Sequence, residues 1–257
     1  MSSNFNTMPP AARKLRALEK RNCLLSFIAE EGYTTTAICQ RVLGLQNWPT
    51  LTALHALEKQ ACLTRDVLQT ETGAVPLWGI TSHGLALANP NCGDDDLHYT
   101  PGRISAASLA HTLDVQRVRV LSSAQCYRNW RSSRRCQREA AKTKGVWLNV
   151  PDAVAHDVDG LLVAFEIERV FKSPRRYESI FAGYLRMAHL RTIDRVVYIS
   201  MTAGLAPRLQ RQFERIKTVV VEGRRLPVTD AHLARLKVID FVEWQKLAVN
   251  FPANDLE

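Results

Sequence analysis

The first ninety residues alternate between helical and strand-like spacing of apolar positions. Leu15, Leu18, Leu25 and Ile28 recur at helical spacing over residues 10–31, and Gly32 stops the run. Thr34, Thr35 and Thr36 offer capping hydroxyls for a short helix that runs through Leu43 and ends at Gly44. Asn47, Trp48, Pro49 and Thr50 open a third helix with Leu51, Leu54 and Leu57 on one face. Two strand-like runs follow, Thr64 to Gln69 and Leu77 to Ile80, joined through Thr70, Glu71, Thr72 and Gly73, which predicts a hairpin. A further helix is expected over Ser82 to Ala88.

Three helices and a hairpin in that order predict a winged helix-turn-helix over residues 1–90. Its third helix would enter the major groove of DNA and its hairpin would lie along the backbone. The expected DNA contacts are Asn47, Thr50, Thr52, His55 and Lys59 on that helix and Arg65 and Gln69 near the wing. Trp48 and Trp78 are expected to pack rather than to read bases. The same element used for protein contacts or dimerisation is the alternative.

Residues 91–102 are rich in Pro, Gly and Asp and read as a linker, with the run Asp94, Asp95 and Asp96 solvated. From 103 to 257 the pattern becomes α/β. Helices are expected at 105–116, 133–143, 174–190 and 207–216. Strands are expected at 152–158, 161–168, 195–200, 218–221 and 237–241, so the expected core is a mixed central sheet.

Composition narrows the class. The 257 residues carry a formal net charge of +9 and are 46% hydrophobic, enough for a packed core without any membrane span. The N-terminus lacks the apolar segment of a secretory signal. The six cysteines, Cys23, Cys39, Cys62, Cys92, Cys126 and Cys136, form no closely spaced pair, which points to reduced thiols in a cytoplasmic protein and away from zinc. The basic excess is local. Between Arg103 and Lys144 there are ten Lys and Arg against two acids, Asp114 and Glu139. Most are Arg, including Arg131, Arg134 and Arg135, and the guanidinium fork suits phosphate. A solvated helix face is the competing reading of this cluster.

The candidate chemistry lies in the second half. Asp152, after Pro151, opens one expected strand, and Glu166 and Glu168 lie on the next, which is otherwise apolar from Leu161 to Phe165. Residues two apart on a strand share a face, so the two glutamates point together while Phe165 and Ile167 point away. If the strands pair around Asp157 to Gly160, Asp152 comes alongside. Three carboxylates in an apolar setting are costly without a cation. A hard cation such as Mg²⁺ or Mn²⁺ would meet them and polarise a phosphate. Exposed hairpin acids balanced by Arg169 and Lys172 are the alternative.

This pattern resembles the PD-(D/E)xK nuclease superfamily, the fold of many restriction endonucleases, through Pro151, Asp152, Glu166 and Glu168. Glu168 stands where most members have Lys. Lys172 can reach back as a displaced lysine, and Arg169, Arg175 and Arg176 can face transition-state charge. With a winged helix and a basic segment ahead of it, residues 15–245 resemble the plasmid replication-relaxation group, most closely the MOB-C class of relaxases that nick plasmid DNA at the transfer origin. That resemblance implies Asp152, Glu166 and Glu168 as metal ligands, with Glu139 an outer candidate. It also implies double- and single-stranded plasmid DNA and accessory mobilisation proteins as partners.

Other chemistries are weaker. No two of the seven histidines are closer than thirteen residues, so a His-hydrophobe-His metal motif is absent, and so is a phosphate-binding loop of the ATPase type. The nucleophile is metal-activated water or a tyrosine, with Tyr177 and Tyr184 as candidates on the helix after the acids and His189 of similar standing. The expected activity is a site- and strand-specific DNA nickase. The alternatives are a plasmid replication or transcription regulator with an inert nuclease-like domain, and a double-strand restriction-type endonuclease.

Overall fold

The computed structural model describes residues 9–88, 98–142 and 147–249. Cys92, the Asp94 to Asp96 run and Lys144 lie outside the described residues, as does most of the expected linker. The chain divides into two compact units, Met1–Gln116 and Arg117–Glu257.

In the first unit, α1 (Pro10–Glu31) starts with a proline at a position that needs no N–H, and Gly32, at φ 85°, donates back to Ile28 O to end it. β1 (Tyr33–Thr34) follows. Thr35 caps α2 (Thr36–Leu43) by accepting from Ile38 N, and Gly44 terminates it in the left-handed region. α3 (Asn47–Lys59) leads into β2 (Leu63–Thr70) and β3 (Gly73–Ile80), then α4 (Ser82–Ala88). The strands form an antiparallel sheet in the order β1-β3-β2. This is the arrangement of a winged helix-turn-helix.

Leu24, Ile28, Leu54, Leu57, Leu77, Trp78 and Ile80 form its buried centre, and the Trp78 indole donates to Thr36 Oγ1 at 3.0 Å. Tyr99 belongs here too. Its N–H donates to Ile80 O, its hydroxyl to Asp66, and its ring lies where a Cβ on Gly79 would stand, 2.1 Å from Tyr99 Cγ. Gln116 donates to Tyr33 O at 2.7 Å and accepts from the Thr34 hydroxyl. The division between the units therefore falls inside the next helix, α5 (Ala106–Ala124), later than the Pro- and Gly-rich stretch suggests. Composition marks where the chain bends, but side-chain contacts decide which body a segment joins.

The expectation of an apolar face along all of α1 fails in its first half. Leu24, Leu25, Phe27 and Ile28 are buried, but Leu15 is 58% exposed and Leu18 is 47% exposed. Trp48 is also corrected: it stands 77% exposed, whereas Trp78 packs as expected.

The second unit is a five-stranded mixed sheet in the order β10-β7-β6-β5-β4. β4 (Arg128–Ser132), β5 (Ala153–His156) and β6 (Leu162–Glu168) are antiparallel neighbours. β7 (Arg195–Ser200) and β10 (Leu236–Asp240) add on in parallel. Between these strands run α6 (Ser133–Lys142), α7 (Pro174–His189) and α8 (Leu205–Arg215). The hairpin β8 (Thr218–Val221) and β9 (Arg224–Pro227), the short α9 (Asp230–Leu233) and the closing α10 (Phe241–Val249) complete it. The predicted strand at 218–221 forms, but it pairs only with β9 and stays out of the central sheet. The β5–β6 turn is tied by Asp157, whose Oδ1 accepts from Asp159 N and Leu161 N, with Gly160 at φ 77°.

Two cores flank the sheet. Ala164 packs with Tyr177, Ile180, Phe181, Tyr184, Tyr198 and Phe213 from α7, β7 and α8. On the other face, Phe165 meets Tyr127, Trp130 and Trp244. Among the described residues no helix is long and apolar enough to cross a membrane.

Candidate active site

The β6 pleat places Glu166 and Glu168 on the same face as Ala164, beneath α7, as the spacing of two predicts. In the parallel pairing with β7, Glu166 lies opposite Tyr198 and Glu168 opposite Ser200. Both glutamates are buried. Asp152 sits one residue before β5. Its N–H donates to Phe165 O at 3.1 Å, its carbonyl accepts from Ser133 N at 3.0 Å, and its Oδ2 accepts from Ile167 N at 2.8 Å. Asp152 is thus held against β6 by backbone and side chain together.

Each glutamate has its own partner. The Tyr184 hydroxyl, from the middle of α7, donates to Glu166 Oε1. Lys172 Nζ donates to Glu168 Oε1 at 2.5 Å, so the lysine four residues on does reach back to the strand. Tyr177, fully buried, accepts from Lys172 N at 3.0 Å and tethers the segment that carries the ammonium. Tyr198 is buried on β7, and its hydroxyl has no hydrogen-bond partner among the described residues.

The electrostatics follow from this packing. Burial raises the Glu166 carboxyl, and the Asp152 charge raises it further, to about 8; the Tyr184 hydrogen bond and the Lys172 charge oppose the rise only in part. Burial works against the Lys172 ammonium, but the hydrogen bond and charge of Glu168, with Glu166 behind it, hold it above its ordinary range. Burial and the Glu166 charge push the Tyr184 hydroxyl well up.

The three expected ligands are therefore not equivalent. Among the described residues no group of three or more His, Cys, Asp or Glu side chains is gathered as a ready metal cluster. Glu168 is engaged by an ammonium at contact distance, whereas Glu166 bears the like charge of Asp152. Asp152 and Glu166 are the two carboxylates that could hold a hard cation, the number Mg²⁺ commonly takes alongside phosphate and water. Glu139, the outer candidate, is held by Arg131, whose Nη1 lies 3.1 and 2.9 Å from its two oxygens, and by Arg135 at 3.8 Å.

The remaining expected residues are dispersed. Arg175 and Arg176 are exposed in the first turn of α7, close in sequence to Lys172, and Arg169 is exposed at the end of β6. Arg131 and Arg135 pair with Glu139, so this part of the basic cluster is already partnered, and Arg134 beside them on α6 is half-buried. His189 is exposed in the last turn of α7.

In the first unit, Asn47, Thr52 and Lys59 are exposed on α3, and Arg65 and Gln69 are exposed on β2. His55 engages Glu58 at 2.9 Å and meets the edge of Trp78. Thr50 is corrected: it is fully buried, and its hydroxyl donates to Gln46 O at 2.9 Å, so it faces the core and not a groove of DNA.

One residue, Tyr198, and one contact, that of Tyr184, escaped the sequence. Tyr184 was recognisable as an aromatic on the helix after the acids, but its hydrogen bond to Glu166 depends on how α7 lies across β6. Tyr198 sits in an apolar strand with no local signal that its neighbour across the ladder is an acid.

No curated protein and no solved structure matches this chain significantly. A comparison with protein families matches residues 25–197, more than half of the 257 residues and a span that contains the helix-turn-helix, the basic segment and all three acids. By that match the chain belongs to the replication-relaxation family.

Proposed function

We propose that this protein is a metal-dependent, strand-specific DNA endonuclease of the relaxase type, nicking plasmid DNA at an origin of transfer. The observation that carries the reading is the buried Glu166 with the half-buried Asp152 beside it at the β5–β6 hairpin, and an ammonium held two residues further along the same strand face. A mixed sheet with acids at that place is the arrangement expected of a PD-(D/E)xK nuclease, with Lys172 in the role of the family lysine.

Asp152 and Glu166 would hold Mg²⁺ or Mn²⁺, which supplies Lewis acidity toward the scissile phosphate. Asp152 is pinned by Ile167 N, and Glu166 by Tyr184, so both carboxylates are oriented before any ion arrives. Lys172, kept protonated by Glu168, presents a positive charge to the phosphate or orients a water for attack. Glu168 acts here as the holder of Lys172. Arg169, Arg175 and Arg176 lie near the site in sequence and suit the flanking phosphates.

Water is the better nucleophile in this reading. Tyr177 and Tyr184 are both buried and both hydrogen-bonded within the unit, so neither hydroxyl is presented to a strand. The winged helix-turn-helix would select duplex through Asn47, Thr52, Lys59 and Arg65, with accessory mobilisation proteins supplying the rest of the complex.

A supercoiled-plasmid assay with Mg²⁺ or Mn²⁺ tests the proposal. Open circles from cognate plasmid alone are the expected product, and Asp152→Asn or Glu166→Gln should abolish them while DNA binding persists. Linear product would point to restriction chemistry. Specific binding without cutting in any divalent metal would leave a DNA-binding regulator.

A further inference from the structure

The first unit contains a groove that shares Thr52 with the duplex-reading face proposed above but otherwise has no part in it. It lies between the N-terminal half of α1 and the start of α3, has a volume of about 300 Å³, and is lined by Arg13, Arg16, Ala17 and Lys20 on one side and Trp48, Pro49, Thr52, Ala53 and Ala56 on the other. Along α1 one helical stripe changes character. Its lower part, Leu24, Phe27 and Ile28, is buried, while its upper part, at the same spacing, carries Arg13, Ala17 and Lys20. The upper half of α1 is nearly all exposed. Charge is concentrated there: five of the eight Lys and Arg in residues 1–90 fall between Arg13 and Arg21, against the single acid Glu19.

The opposite wall is apolar and small, except for Trp48 at its mouth. A tryptophan that is 77% exposed, beside a row of cations and above alanines, offers a flat stacking surface with phosphate-binding charge next to it. Non-specific single-strand sites combine these two features. An amphipathic acidic helix would need sockets for large apolar side chains along the groove. Ala17, Ala53 and Ala56 line the groove with small side chains instead, which leaves room for a planar ring beside Trp48.

We propose that this groove binds single-stranded DNA, with a base stacked on Trp48 and the backbone phosphates held by Arg13, Lys20 and their neighbours on α1. The inference rests on reading the chain as a protein that opens plasmid DNA. It gives the helix-turn-helix unit a second role, holding a displaced strand.

The test is fluorescence anisotropy of a labelled fifteen-residue thymidine oligonucleotide with the full chain, in buffer without divalent metal. Failure of nicking therefore leaves this readout untouched. Trp48→Ala should weaken binding about 5- to 150-fold, and Trp48→Phe should restore most of it. Arg13→Ala and Lys20→Ala should each lower the slope of log affinity against log salt by about 0.7. Because Trp48 is exposed, its replacement should leave thermal stability unchanged, which a melting curve verifies. Unchanged oligonucleotide binding by Trp48→Ala would overturn the proposal. So would an equal loss of affinity for duplex of the same length, or a Trp48-dependent association with poly-glutamate in place of the oligonucleotide, which would point to an acidic protein partner.

Discussion

Tyr184 on α7 donates its hydroxyl hydrogen to Glu166 on β6, joining the helix that covers the sheet to the acid at its centre. The bond fixes one oxygen of a buried carboxylate that the proposed function assigns to a cation. Partners that orient metal ligands in this way commonly account for about 10–100-fold in metal affinity. Tyr184→Phe keeps the ring in the core and removes only the donor. Its Mn²⁺ affinity, measured by calorimetric titration, should fall within that range with little change in DNA binding. Wild-type metal affinity in this variant would show that Glu166 needs no such support.

The same acid should make the metal-free protein sensitive to pH. In the unfolded chain Glu166 ionises near its ordinary value of 4.5, but when folded it holds its proton up to about 8. Between those values the unfolded state binds fewer protons, so folding stability falls as pH rises through that window and levels off above it. Melting temperatures of wild type and Glu166→Gln, followed from pH 5 to 8.5 in a chelator, should converge at the acid end. The wild type should lose relative stability toward pH 8. Added Mn²⁺ at alkaline pH should recover it by mass action. Parallel curves for the two proteins would argue against a neutral Glu166.

Lys172 and Glu168 form a pair with one partner nearly enclosed and the other at the surface, 2% and 36% exposed. Removing one member of a fully buried pair costs about 3–5 kcal/mol, and the exposure of the ammonium lowers that figure here. Lys172→Met should therefore destabilise by about 1–2 kcal/mol, since it removes the ammonium paired with the buried Glu168. The double variant Lys172→Met with Glu168→Gln should recover much of the stability in denaturant titrations and none of the nicking. If the double variant also nicks, the ammonium has no part in the chemistry.

Asn149 lies across α7 just before the Asp152 segment, donating to Ile180 O at 2.7 Å. It fits there because residue 183 is glycine: a Cβ at Gly183 would stand 2.1 Å from Asn149 Nδ2. Gly183→Ala should displace the asparagine and destabilise the unit by about 1–3 kcal/mol, despite the better helix propensity of alanine. Combining it with Asn149→Ala should relieve the clash, so the double variant should melt above Gly183→Ala alone. Equal melting of the two would place the strain elsewhere.

Local chemistry carried much of the architecture into the sequence. The bounds of α2, α3 and α4 follow from the threonine cap, the glycine stops and the apolar spacing, and β7 follows from an uninterrupted apolar run. The pairing of Glu166 with Glu168 on one face is a consequence of strand geometry alone. β4 escaped because Arg128 to Ser132 is polar, a strand made by pairing with β5 and not by its own pattern. β1 and β9 are similarly short and owe their existence to a partner.

What the sequence by itself determined is the set of groups: three acids, a lysine four residues on, two tyrosines in the next helix, and an Arg-rich segment at 103–144. Periodicity also set which way each side chain leaves its own element. Only the tertiary structure decided which groups meet. It turned Thr50 inward and Trp48 outward, gave Glu168 to Lys172, and placed Tyr184 on Glu166. The reason is that hydrogen bonds, ion pairs and burial between elements depend on how helices lie on sheets. The energy of a carboxylate in a strand is then set by neighbours far along the chain, and no local pattern records them.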